Sequence, residues 1–97
     1  MIKVRIKNDF IEIKGHANQN PHGTDIVCAS VSTAVIMSIN LIDTFNLLND
    51  ISYEIKDGYT KINIINESDD LNKIINNLIY TLNTLGEDYP KYIAIEN

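Results

Sequence analysis

The residues able to do chemistry crowd into one short stretch. Gly15-His16-Ala17 through Asp25-Ile26-Val27-Cys28 holds the only cysteine of the chain and both histidines, His16 and His22. A cysteine attacks as its thiolate, and the first turn of a helix favours that form because its dipole and free N–H groups stabilise negative charge. Cys28 stands where an alternating pattern gives way to a helical one, which puts it in such a turn. His16 or His22 could take its proton, and the same N–H groups could hold a developing oxyanion. Spacing alone admits quieter readings as well. A lone Cys among Val, Ala and Ile also suits a small buried hydrophobe. His16 also suits a polar residue ending a strand, His22 a solvated loop position, and Asp25 a helix cap. His16, His22, Asp25 and Cys28 are metal-ligand types, but their spacing matches no zinc pattern.

Hydrophobic periodicity outlines the elements that must position these groups. Ile2, Val4 and Ile6 alternate with Lys3, Arg5 and Lys7, and after the turn pair Asn8-Asp9 the stretch Phe10 to Lys14 alternates again. This predicts a hairpin that Gly15 closes. Ala17 to Thr24 reads as a polar loop containing Pro21 and Gly23, and Thr24 or Asp25 can cap the helix that follows. That helix is expected from about Asp25 to Leu48. One apolar set is Val27, Val31, Val35, Ile39, Ile42 and Phe45; a second, including Ile26, Ala29, Ala34, Met37, Leu41 and Leu48, lies on its other faces. A helix apolar nearly all round is expected to be buried nearly all round, by a second helix or a partner chain. Ile51, Tyr53 and Ile55, then Asp57-Gly58, then Thr60, Ile62 and Ile64 predict a second hairpin. Ser68 caps a helix with a one-sided stripe from Leu71 to Leu85, Gly86 suits the left-handed position after its last turn, and Pro90 bars a restart. Tyr92 to Glu96 is a final strand. The order β-β-α-β-β-α-β predicts an α+β fold, two helices on a mostly antiparallel sheet, in a single domain over residues 1–97.

Composition narrows the partners. The chain has 97 residues and a net charge of −5, with a pI near 4.7. That balance argues against direct binding of nucleic acid, which wants a basic face, and suits a basic protein or peptide instead. One cysteine cannot form an internal disulfide, so a reducing cytoplasm is expected. The start, Met1-Ile2-Lys3-Val4-Arg5, is unlike a signal peptide, and no apolar run is read as approaching the roughly 20 residues of a membrane span.

Gly15-His16-Ala17, a polar loop with Gly23, and Asp25-Ile26-Val27-Cys28-Ala29-Ser30-Val31-Ser32 resemble the signature of the ribosomal-processing cysteine protease family. The flanking hairpins, helices and strand fit that family's order too. The resemblance implies a Cys–His endopeptidase with Cys28 as nucleophile and His16 as general base, and no metal or organic cofactor. It places the motif's acidic residue on Asp25 and makes Ser32, one turn past Cys28, a site-lining hydroxyl, with Gly15 and Gly23 in support. It matches Ala17 to Thr24 to a mobile flap and leaves His22 outside the dyad. It further implies a homodimer whose substrate is a ribosomal protein precursor: a large-subunit protein of the bL27 type with an N-terminal extension, cut after an aromatic pair and before a small residue. The rival expectation is a non-enzymatic acidic dimer that docks on a basic ribosomal protein with Cys28 buried and inert. Whether Cys28 and His16 face one accessible cleft separates the two.

Overall fold

A computed structural model describes residues 1–16 and 25–97. Among these, β1 (Ile2–Ile6) and β2 (Phe10–Lys14) lead to α1 (Ile26–Thr44); β3 (Ile51–Lys56), β4 (Tyr59–Ile64), α2 (Asp69–Asp88) and β5 (Ile93–Glu96) follow. The element order is the expected one. The strands form one sheet in the order β3-β4-β2-β1-β5. Every pairing is antiparallel except β1 with β5, which run parallel in the register Ile2 opposite Ile93 and Val4 opposite Ile95.

The two hairpins lie side by side through β2 and β4. Their register sets Ile11 opposite Ile62 and Lys14 opposite Tyr59. That register carries the end of β2, where Gly15 and His16 lie, to the tip of the β3–β4 hairpin. The inner sheet face supplies Ile2, Val4, Ile11, Ile13 and Ile62 to the core, and α1 and α2 close over it with Val27, Val31, Val35, Leu71, Leu78 and Leu82, all buried. At about 25 cal/mol per Å² of apolar surface removed from water, these branched side chains are the main source of cohesion.

Two local expectations are corrected. The first helix ends at Thr44, not near Leu48, because Asn46 enters the left-handed region at φ 60° and stops the run; Leu48–Asp50 is a separate 3-10 turn. Gly86 lies inside α2 and ends nothing. The strand β5 explains it, because an added β-carbon there would stand 3.0 Å from Ile95 Cγ1. Within one chain α1 buries Val27, Val31, Val35, Ser38, Ile39 and Ile42 and leaves Ile26, Ile36, Met37, Leu41 and Phe45 exposed, the side for which the sequence reading calls on a partner chain. The membrane reading also needs amending, since α1 is 19 residues long with a mean hydropathy of 1.8, enough to cross a membrane by length and composition. A helix that lays one apolar side on a sheet meets the same criterion, and α1 does so with its valines.

The outer sheet face holds a buried carboxylate that periodicity left among the solvated positions. Glu12 is 7% exposed. Its oxygens accept hydrogen bonds from Tyr59 Oη at 3.0 Å and Arg5 Nη1 at 3.1 Å, with Lys14 Nζ 3.8 Å away. Burial pushes its pKa up, but the Tyr59 and Arg5 hydrogen bonds and the Lys14 and Arg5 charges outweigh it, so the net shift is downward from the usual 4.5. A carboxyl whose pKa falls on folding adds stability above its unfolded pKa and loses it as pH falls through the folded value. Glu12→Gln should therefore be less stable than the parent near pH 7 and lose less on acidification below about pH 4.5. Urea midpoints measured from pH 7 to pH 3 check this; equal acid sensitivity in both proteins would refute it.

Candidate active site

α1 begins as its sequence requires. Asp25 is the N-cap, and its Oδ1 accepts from the backbone N–H of Val27 at 2.9 Å and of Cys28 at 3.2 Å. Such a cap contributes about 0.5–2 kcal/mol and fixes where the first turn starts. Cys28 therefore sits at the third helical position, its thiol in the part of the dipole that favours an anion. The cap also alters one expectation. Of the N–H groups at the helix start that could hold an oxyanion, those of Val27 and Cys28 are held by the Asp25 carboxylate in this conformation.

His16 is held by the backbone on both sides. The Met1 nitrogen donates to the His16 carbonyl at 2.6 Å, and the Gly15 N–H donates to the Gly58 carbonyl at 2.9 Å. Gly15 takes φ 100°, and a side chain there would run into the Met1 carbonyl oxygen. That is the physical reason for glycine before this histidine.

Between the start of α1, the end of β2 and the tip of the β3–β4 hairpin opens a cleft of about 700 Å³, a size in the range of ligand-binding sites. Cys28, His16, Asp25, Ser32 and Gly15 all line it. Both Cys28 and His16 are half-buried, and Ser32 is exposed. Cys28 and His16 thus line one cleft, and Cys28 packs against the core without being sealed in it. Gly23, His22 and the whole Ala17 to Thr24 flap lie outside the described residues. Among the described residues no group of three or more His, Cys, Asp and Glu is placed to hold a metal ion.

Sequence reasoning missed the far wall. Ile55, Lys56, Asp57, Gly58 and Thr60 line the cleft opposite α1. Asp57-Gly58 was legible as a turn, but nothing local shows a turn to face a cysteine from another part of the chain. Apolar Ile13, Val31, Val35, Ile36 and Ile55 lie beside the polar groups. A cleft with an apolar wall, a thiol, an imidazole and a carboxylate holds the groups that acyl transfer on a peptide requires.

The comparisons give the family: the family described as Cysteine protease Prp matches residues 1–94, and the chain belongs to it. A Staphylococcus aureus protein named ribosomal processing cysteine protease Prp is 30% identical over 83 residues, covering 84% of this chain and 78% of that protein. The crystal structure of an essential ribosomal processing protease Prp from S. aureus, with a covalently linked product peptide, superposes with a TM-score of 0.80 at 25% identity, covering 98% of this chain and 95% of that one. SMU.848 from Streptococcus mutans shares the fold at a TM-score of 0.77 and 22% identity, over 98% of this chain and 90% of that one.

Proposed function

We propose that this chain is a processing endopeptidase that removes the N-terminal extension of a large-subunit ribosomal protein of the bL27 type by a Cys–His mechanism. The observation that carries the reading is that Cys28 and His16, from separate elements, line one cleft in a chain of this family. The S. aureus relative that bears the name ribosomal processing protease supports the substrate class. An acidic enzyme is also suited to a basic ribosomal protein, since opposite net charges speed encounter.

In this mechanism Cys28 Sγ attacks the scissile carbonyl carbon as His16 takes the thiol proton. The tetrahedral intermediate collapses to a thioester as His16 passes that proton to the departing amine. Water, deprotonated by His16, then attacks the thioester, and the thiol leaves with the proton. Asp25 sets the start of the helix on which the nucleophile stands, and Ser32 is a hydroxyl on the same wall for substrate contact. Incubation with the extended precursor should yield a shortened product by mass, cut after an aromatic pair. An unshortened precursor under conditions where the protein is folded would refute the reading.

The working form we propose is a homodimer in the cytoplasm. Met37, Leu41 and Phe45 follow one another at four-residue intervals and are 66%, 42% and 47% exposed. Residues so spaced share one helix face, and two-fold pairing is the commonest way to cover such a face. Light scattering at micromolar concentration should give about twice the 11.0 kDa chain mass, and Leu41→Glu should shift it toward the single-chain value. A single-chain mass for the unaltered protein would overturn the assembly.

A further inference from the structure

We infer that Gly58, at the tip of the β3–β4 hairpin, is the positioning residue that leaves room for the His16 imidazole beside Cys28. A β-carbon built on Gly58 would lie 2.8 Å from His16 Nε2, 3.4 Å from Cε1 and 3.5 Å from Cδ2. The first distance is shorter than real contacts of that kind, and all three atoms belong to the Nε2 side of the ring. The imidazole rests against a place where every other residue type carries an atom.

Two further features make this more than a turn glycine. Gly58 has φ 73°, a conformation that glycine adopts freely and that Asn tolerates better than most residues. Its carbonyl accepts the Gly15 N–H at 2.9 Å, so the same residue that yields space to the ring also fixes the backbone next to it. The β2–β4 pairing sets both contacts, with Lys14 opposite Tyr59. Because a histidine ring turns about two side-chain torsions, a side chain at position 58 displaces the ring rather than the fold. The substitution then removes the base from its place while His16 remains in the chain.

The inference rests on the reading of His16 as the base, and its test separates the two. Gly58→Asn keeps a residue suited to the positive φ and adds a β-carbon. It is expected to retain the melting temperature within a few degrees, hold KM within about threefold, and lose about tenfold or more in kcat, part of the roughly 100- to 10,000-fold that a general base supplies. The rate of Cys28 alkylation by iodoacetamide against pH should move toward the profile of His16→Ala. Wild-type kcat and an unchanged alkylation profile in folded Gly58→Asn overturn the inference. If His16→Ala is damaging in that same series, the base reading stands without it. A second arm applies even where a variant folds poorly. Urea midpoints of Gly58→Ala are compared in the parent and in the His16→Ala background. A smaller loss in the second background supports contact with the ring; equal losses, or failure to fold in both, show that the turn alone needs glycine and overturn it.

Discussion

Replacing Cys28 with alanine is expected to abolish cleavage of the extended precursor and leave the fold in place. The thiol is half-buried at the third position of α1, where alanine has the best helix propensity and leaves no large void. The hydrogen bond from position 28 to the Asp25 carboxylate is made by the backbone N–H, so the cap survives the change. Catalytic residues that act as a unit lose nearly all chemistry when one is removed, and the loss in kcat should reach about 10,000-fold or more. Product mass and a thermal melt read the two halves of the expectation separately. A folded Cys28→Ala protein that still cuts within tenfold of the parent would remove Cys28 from the reaction.

The second large effect separates the two histidines. His16→Ala should lower kcat by about 100- to 10,000-fold, the usual range for a general base, while His22→Ala should change it far less. The main-chain contacts at His16, to the Met1 nitrogen and through Gly15 to Gly58, do not involve the ring. Truncation therefore tests the imidazole rather than the path of the chain. His22 lies outside both the described residues and the motif that His16 completes. Steady-state rates on one precursor for both variants decide the matter. If His22→Ala is the more damaging change, the base belongs to the segment 17–24.

Much of the fold was legible because local rules act over a few residues. Period-two alternation from Ile2 to Lys14 and from Ile51 to Ile64, the Asp57-Gly58 turn, and the Ser68 cap before a one-sided stripe each depend only on near neighbours, and each element formed as read. Where competing local signals met, legibility failed. Asn46 could continue the helix or leave it, and the positive φ it takes ended α1 one turn before the apolar pattern did. Gly86 matched a helix end by type, yet the close approach of β5 across α2 was the true reason for a missing side chain.

Sequence alone sufficed for the order of elements and the chemical capacity of the stretch from Gly15 to Ser32: one thiol at a helix start, with Thr24 or Asp25 to cap it, downstream of one histidine at a strand end. Those facts follow from residue type and spacing. That Cys28 and His16 line one cleft was settled by tertiary packing, because α1 lies on the inner sheet face with its first turn near the end of β2. The β2–β4 pairing put Gly58 against the Nε2 edge of the His16 ring and Tyr59 onto Glu12, burying a carboxylate that alternation assigns to solvent. The sheet also covers just one side of α1, so which apolar residues became core and which stayed exposed was a matter of geometry, not of hydrophobicity. Periodicity records what each residue prefers; the long-range strand register chooses its neighbours, and the site is made of neighbours.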